Sequence, residues 1–235
     1  MKEYLISRAR AMGIEMTPVQ AEKFERYHEM LCAANREMNL TRVSDDKTEA
    51  ADRNYLDSLT VLARLGGTRT LIDVGTGAGF PGVPVAIMRP DVRVTLMDSL
   101  GKRVNFLNEV VKRLDLNAEC VLSRAEDAAK LPLYRDAFDA ATARAVAELN
   151  VLSEWLLPFV KPGGRMLALK GPAAAEELTR ADAAIQKLNA RAVGVFDADV
   201  PGRDWSHKIV EIEKLGPTPE AFPRRAGVAE KRPLR

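Results

Sequence analysis

Leu71-Ile72-Asp73-Val74-Gly75-Thr76-Gly77-Ala78-Gly79-Phe80 decides the fold: an apolar, strand-forming run opens directly into a turn with glycine at every second position. Without Cβ atoms at Gly75, Gly77 and Gly79 the backbone can approach a ligand closely, and a helix beginning after Phe80 offers unpaired N–H groups. A strand, a glycine turn and a helix in that order make a nucleotide-cofactor loop in an α/β sheet. Gly77, Gly79 and Gly82 also satisfy G-x-G-x-x-G, with Asp98 about 20 residues further on, so the loop alone leaves a nicotinamide dinucleotide open.

Working outward, short β runs alternate with helical segments. The strands are Thr70 to Val74, Val92 to Met97, Glu119 to Leu122, Phe138 to Ala143 and Arg165 to Leu169, the last after a turn at Lys161 to Gly164. Helices fall after Phe80, around Lys102 to Leu114, from Glu148 to Phe159 and from Ala173 to Leu188, so each unit reads as a right-handed parallel crossover. The runs Arg191 to Phe196 and Lys208 to Glu213 are joined by a short stretch rich in Asp, Pro and Gly, which suits an antiparallel pair.

Residues 1–66 read as a helical extension packed on a core of 67–216, with a basic, irregular tail at 217–235. Thr17 to Gln20 form a capping box with Pro18 at the first helical position. Phe24, Tyr27, Leu31, Ala34 and Met38 follow as one apolar stripe that must pack against the core. A second helix is expected from Ala50 to Leu65, stopped by Gly66 and Gly67.

The 235 residues, 46% hydrophobic and 29% charged, suffice for one α/β domain with decorated ends and are too few for two. Thirty-five Lys plus Arg against 33 Asp plus Glu leave a formal charge of +2, so any basic surface is local. The chain starts without an apolar signal-like stretch and carries two separated cysteines, Cys32 and Cys120, which points to a reduced, cytosolic protein. No run reaches the roughly 20 apolar residues of a membrane helix. His28 and His207 with those cysteines make no zinc cluster and few triads, so zinc enzymes and most histidine chemistry are disfavoured.

Asp73, Asp98 and Glu126 fall at or near the carboxyl ends of the first three strands, where open α/β sheets bind ligands. They suit S-adenosylmethionine: an acidic first loop for its ammonium group, Asp98 for the ribose hydroxyls, and an acceptor near Ala125 and Glu126 for the adenine amino group. With the terminal antiparallel pair, the pattern resembles the class I S-adenosylmethionine-dependent methyltransferase fold, Rossmann-like with a seven-stranded sheet.

Several blocks narrow this further: Asn39-Leu40-Thr41, Asp57-Ser58-Leu59, DVGTGAGFPG from Asp73 to Gly82, DSLGKR from Asp98 to Arg103, Ser123 to Glu126, Ala143 to Ala145, ALKG from Ala168 to Gly171, and PRRAG from Pro223 to Gly227. Taken in order they resemble the bacterial 16S rRNA guanine-N7 methyltransferase family (RsmG, glucose-inhibited division protein B), from about Asn35 to the C-terminus. The resemblance implies methylation of N7 of guanine 527, in the 530 loop of 16S rRNA. It implies cofactor contacts at Gly75, Phe80, Ala125, Glu126 and Arg144, with Asp98 on the ribose. Asn54 stands where the family usually has a histidine, and Val228-Ala229 where it has Thr-Pro.

Guanine N7 carries an in-plane lone pair, so attack on a sulfonium methyl needs alignment and no general base. Amino-group methylation is disfavoured because Ala141 to Ala145 stands where an Asn/Asp-Pro-Pro-aromatic motif would be. Cytosine C5 chemistry would need a nucleophilic thiol, whereas Cys32 and Cys120 read as core residues. Arg144 and Lys170, expected at the ends of the fourth and fifth strands, are the candidates for touching substrate or cofactor. Lys102, Arg103, Arg224, Arg225, Lys231 and Arg232 are the candidates for RNA phosphate. His28, His207 and Trp155 read as structural, and Trp205 as open. The expected partner is 16S rRNA or the small ribosomal subunit, bound by a monomer with no metal. The alternatives are a small-molecule methyltransferase on the same fold, an NAD-dependent oxidoreductase, and a noncatalytic RNA-binding factor.

Overall fold

A computed structural model describes residues 1–38, 44 and 46–234, the side chains of residues 37 and 38 excepted. The Asn39-Leu40-Thr41 block, the Met38 side chain and Arg235 lie outside the described residues.

The strands are β1 (Thr70–Val74), β2 (Arg93–Asp98), β3 (Ala118–Leu122), β4 (Phe138–Arg144), β5 (Val160–Lys170), β6 (Ala190–Asp197) and β7 (Lys208–Lys214). They form one seven-stranded sheet in the order β3-β2-β1-β4-β5-β7-β6. The first five strands pair in parallel, and β7 runs antiparallel to both β5 and β6. β1 starts the reversal of strand order, so its carboxyl end opens onto the crevice between β1 and β4 where doubly wound sheets hold ligands. Leu71, Ile72, Asp73 and Val74 are all buried, as a central parallel strand covered by helices on both faces requires. The segment Lys161 to Gly164 is not a turn ahead of β5. It is an excursion within the strand, where the register jumps from Phe138↔Val160 to Ala140↔Arg165.

The helices that matter for the site are α1 (Lys2–Ala11), α2 (Pro18–Met38), α3 (Lys47–Ala50), α4 (Asp57–Leu59), α5 (Leu62–Leu65), α6 (Gly82–Met88), α7 (Gly101–Leu114), α8 (Ala125–Ala128), α9 (Leu149–Leu156) and α10 (Ala174–Lys187). The capping box at α2 forms as expected: the Gln20 N–H donates to Thr17 Oγ1 at 3.2 Å and the Thr17 N–H to Gln20 Oε1 at 2.8 Å. Phe24, Tyr27 and Leu31 are fully buried, and Ala34 is partly buried beside them. Their stripe packs on the rest of the domain, with the Gln20 amide reaching the Ile87 and Met88 carbonyls at the end of α6.

The single helix expected from Ala50 to Leu65 is instead broken. It starts earlier, where Asp46 accepts from the Thr48 and Glu49 N–H groups, and residues Ala51–Leu56 form a π-helical turn before α4 and α5. The wider turn shifts the inward face relative to a 3.6-residue pattern, and it buries Asp52 completely. That carboxylate accepts from Tyr4 Oη at 2.9 Å and from Arg203 Nε at 2.6 Å, tying α1 to the segment that leads into β7. Hydrophobic periodicity could not reveal an aspartate turned inward by one extra residue.

The C-terminal segment is mostly irregular, as expected, yet it is packed down. Arg135 donates to the carbonyls of Thr218, Pro219 and Phe222. A short helix at Val228–Lys231 buries Ala229. Among the described residues no helix is long and apolar enough to cross a membrane.

Candidate cofactor and substrate site

A cleft of about 470 Å³ opens at the carboxyl ends of β1, β2 and β4. Its floor is the glycine turn, with Gly75 at φ +68°. A Cβ there would sit 3.2 Å from both methyl groups of Val146 on the facing wall, so the bare backbone keeps the cleft open between them. Gly77 and Phe80 also line it; Gly79 does not. At φ +111° a Cβ on Gly79 would come within 2.8 Å of Tyr27 Oη and 2.6 Å of Val83, on the side away from the cleft. Gly79 therefore admits Tyr27 of α2, whose Oη donates to the Ala78 carbonyl at 2.5 Å. The extension thus braces the loop from behind, with Tyr27 and Tyr55 flanking the Phe80 ring at 5.6 and 5.9 Å between centroids.

The three acids divide by function. Asp73, expected to touch the cofactor, is fully buried and does not line the cleft. Its Oδ2 accepts from Thr76 Oγ1 at 2.6 Å and from the Gly82 N–H at 2.8 Å, closing the turn and capping α6. Burial pushes its carboxyl up to about 6, against the lowering effect of those two hydrogen bonds. Asp98 does line the cleft, and it accepts from the Gly77 and Leu100 N–H groups, both at 2.9 Å, and from Arg103 at 3.2 Å. A carboxylate offers about four acceptor sites, so Asp98 keeps capacity for a hydroxyl. Glu126 lines the cleft with Ala125 and accepts from the Gly227 N–H at 3.0 Å, which holds the C-terminal segment against the site.

Trp155 packs against the core as expected, and it also faces the cleft. Helix α9 is buried nearly all round, Ser153 and Glu154 included, so its pattern does not show which face is lined with ligand space. The structure puts the indole in the cleft wall, with Nε1–H buried and without a hydrogen-bond partner. A buried donor of this kind is costly unless something accepts from it. Arg103 Nε, on the same cleft, is in the same state. Glycine floor, carboxylate at the second strand and orphaned donors on the wall together fit an adenosine-bearing ligand.

A second cavity, of about 430 Å³, abuts the first and shares Arg144 and Ala145 with it. Arg144 stands where expected, at the end of β4. It donates to Asp57 Oδ2 at 2.8 Å and to the Arg53 carbonyl at 3.0 Å, and its guanidinium lies 4.7 Å from the centre of the Phe80 ring. Ala145 holds a left-handed backbone, φ +54°, at the point where the cavities meet, a conformation that costs an L-residue about 1 kcal/mol or more. His207 lines the second cavity and donates from Nδ1 to Asp57 Oδ1 at 2.7 Å. That hydrogen bond raises its pKa from the ordinary 6.5, against desolvation and the nearby Arg144 and Arg53 charges. Asn54 lines the same cavity.

The basic residues separate in ways the sequence did not show. Lys170 lines the second cavity, but its ammonium is paired with Glu177 at 2.6 Å and donates to the Ala147 carbonyl at 2.7 Å, so it ties β5 to α10 and is not extended toward a phosphate. Arg103 turns into the first cleft on Asp98, because a cation in the first turn of a helix needs a carboxylate to offset the dipole. Arg224 is locked on buried Glu154, with Nε reaching both carboxylate oxygens at 2.8 and 3.0 Å. Lys102, Arg225, Lys231 and Arg232 are exposed. Burial raises the Cys120 thiol to about 11, which removes it as a nucleophile at neutral pH.

Strand order, the antiparallel β7 and a cofactor-shaped cleft at the ends of β1, β2 and β4 define a class I methyltransferase fold. Solved structures with this architecture include an O-methyltransferase from Bacillus cereus in complex with SAH, with a TM-score of 0.59 at 17% identity over 91% of this chain and 100% of that one. The [4+2]-cyclase SpnF matches at 0.56 and 17% identity, covering 81% of this chain and 94% of that one. A cyclase on the same scaffold means that the fold alone does not settle the reaction.

Sequence relatives settle the family. A family model described as rRNA small subunit methyltransferase G matches residues 20–201. The ribosomal RNA small subunit methyltransferase G of Clostridium perfringens (strain SM101) is 44% identical over 228 residues, 96% of this chain and 95% of the relative. That of Pelotomaculum thermopropionicum is 46% identical over 230 residues, 96% and 95%. The chain belongs to this family and is a methyltransferase.

Proposed function

We propose that this enzyme transfers the methyl group of S-adenosylmethionine to N7 of a guanine in 16S rRNA, guanine 527 of the 530 loop, by direct displacement. The observation that carries this reading is the meeting of two cavities at Arg144: one floored by the glycine turn and lined by Asp98 and Glu126, the other opening beside it with Arg53, Arg144, Lys170 and Lys208 set among Asp57 and Glu177. When bound, S-adenosylmethionine supplies an electrophilic methyl group.

The chain's own residues then align and shield. Gly75 and Gly77 let the backbone approach the ligand, Asp98 takes the ribose hydroxyls, and the Trp155 N–H finds its acceptor in the first cleft. Arg144, held by Asp57 and Phe80, stands at the boundary with a fixed guanidinium that reaches the O6 edge of a purine or a neighbouring phosphate. Guanine N7 needs no proton removed, and holding it in line with the methyl carbon supplies most of the rate. The turn after β4 supports this choice of atom, since Arg144-Ala145-Val146-Ala147 offers no side-chain carbonyl to take protons from an exocyclic amine. Arg225, Lys231 and Arg232, exposed on the segment that Glu126 holds at the cleft, are placed to meet phosphate.

The test is methyl transfer from labelled S-adenosylmethionine to small subunits that lack the modification, followed by borohydride and aniline cleavage. One cleavage in the 530 loop is expected. Label that appears elsewhere, or none in subunits and naked RNA alike, overturns the substrate assignment.

A further inference from the structure

His207 lies in the second cavity with one nitrogen spoken for. Asp57 bridges two donors: Oδ1 accepts from His207 Nδ1 at 2.7 Å and Oδ2 from Arg144 at 2.8 Å. The Asp57 side chain is only 6% exposed, whereas that of His207 is 37% exposed, so the ring turns its Nδ1 edge inward and its Nε2 edge to the cavity. Because a carboxylate oxygen only accepts, Nδ1 carries a hydrogen whether the ring is neutral or charged. The proton that titrates is therefore the one on Nε2. A charged ring presents a donor to the cavity and a neutral ring presents an acceptor.

Resting on the methyl-transfer reading above, we propose that His207 is a specificity-determining residue which, in its charged form, donates from Nε2 to the O6 edge of the target purine and so tells guanine from adenine. Adenine carries an amino group at that position, and a donor facing a donor leaves both unpaired. The groups around the ring set the balance. Asp57 on α4 favours the charged form; Arg144 at the end of β4 and Arg53 in the π-helical turn oppose it; Lys208 follows as the first residue of β7, and the Trp205 ring lies 5.4 Å away between centroids. Arg53 and Arg203 in turn lie over Trp205, at 4.9 and 5.4 Å, which holds that ring beside His207. The net result is a histidine whose pKa is raised from the ordinary value, with one face of the cavity switching from donor to acceptor as the pH rises through it.

The experiment measures kcat and KM for unmodified small subunits from pH 6 to 8.5, with calorimetric affinity for S-adenosylmethionine alongside. For the wild-type enzyme KM is expected to rise roughly tenfold across the range, the loss of one charge-assisted hydrogen bond, with a smaller change in kcat. H207Q is the informative variant. Its amide N–H donates to Asp57, preserving the support for Arg144, and its oxygen faces the cavity like the neutral ring. KM should therefore stay near the high-pH value at every pH while cofactor affinity is unchanged. H207R, a donor at all pH values, should hold KM near the low-pH value. A wild-type pH profile retained in H207Q overturns the proposal, as does a loss of cofactor affinity in H207Q that matches the loss in kcat/KM. If the wild-type enzyme methylates no subunit at any pH, the methyl-transfer reading fails and this inference falls with it; active wild-type enzyme with an unaltered H207Q profile refutes this inference alone.

Discussion

Removing Arg224 should destabilise the protein more than it weakens any RNA contact. Glu154 on α9 is 1% exposed, and its carboxylate is held by the Arg224 side chain and by the Arg224 N–H at 2.9 Å. Arg224→Ala leaves that charge buried with only the backbone donor. Stripping one partner from a buried ion pair costs about 3–5 kcal/mol, and the surviving N–H puts this case near 3. For a chain of this size that lowers Tm by roughly 6–12 °C. The assay is thermal and urea unfolding followed by circular dichroism, with cofactor affinity measured in parallel because Trp155, next in sequence, lines the cleft. The double variant E154M/R224M, which replaces both charges by apolar groups of similar length, should recover to within about 1–2 kcal/mol of wild type. A loss below about 1 kcal/mol in Arg224→Ala, accompanied by a clear drop in RNA affinity, would refute the reasoning and return Arg224 to the RNA surface.

Arg144→Ala should lower kcat for methyl transfer by about 100-fold or more, the scale of a misplaced reactant, while His207 keeps Asp57 paired and limits the stability loss to about 1–2 kcal/mol; full activity removes Arg144 from the site. Gly75→Asp should abolish cofactor binding, since even its Cβ meets Val146 at 3.2 Å and the φ of +68° disfavours any side chain; unchanged calorimetric affinity contradicts that. Asp73, raised in the folded state to about 6 from roughly 4 in the unfolded chain, makes the folded protein bind the extra proton between those values. Stability should therefore fall by about 2 kcal/mol as pH rises from 4 to 6, and D73N should remove that dependence, both read from urea midpoints. Arg225→Ala and Lys231→Ala should each reduce the slope of log affinity for rRNA against log salt by about 1, and an unchanged slope places them outside the interface.

Much of the candidate cofactor cleft was legible because it is local in sequence. A strand running into Gly75-Thr76-Gly77 and an acid at the end of the next strand must come together once the strands are parallel neighbours, and Asp98 indeed accepts from the Gly77 N–H. The same logic overreached at Asp73 and Gly79. Both belong to the motif, yet one closes the turn from inside the core and the other makes room for Tyr27, roles that depend on what packs behind the loop. Basic residues were the least legible. Lys170, Arg103 and Arg224 look like Arg225 and Lys231 in the sequence, and only the positions of Glu177, Asp98 and Glu154 separate paired cations from exposed ones.

By itself the sequence determined the alternation of strands and helices, the antiparallel ending, the glycine floor and the family, because each is written in short-range patterns of residue type. Tertiary structure alone decided the second cavity. It draws Arg53, Asn54 and Asp57 from the N-terminal extension, Arg144 from β4, Lys170 from β5 and His207 from the approach to β7. No local pattern links Asp57 to a histidine 150 positions away. The π-helical turn and the buried anchor at Asp52 bring those segments to one point, and a contact between distant segments exists only after the chain has folded around it.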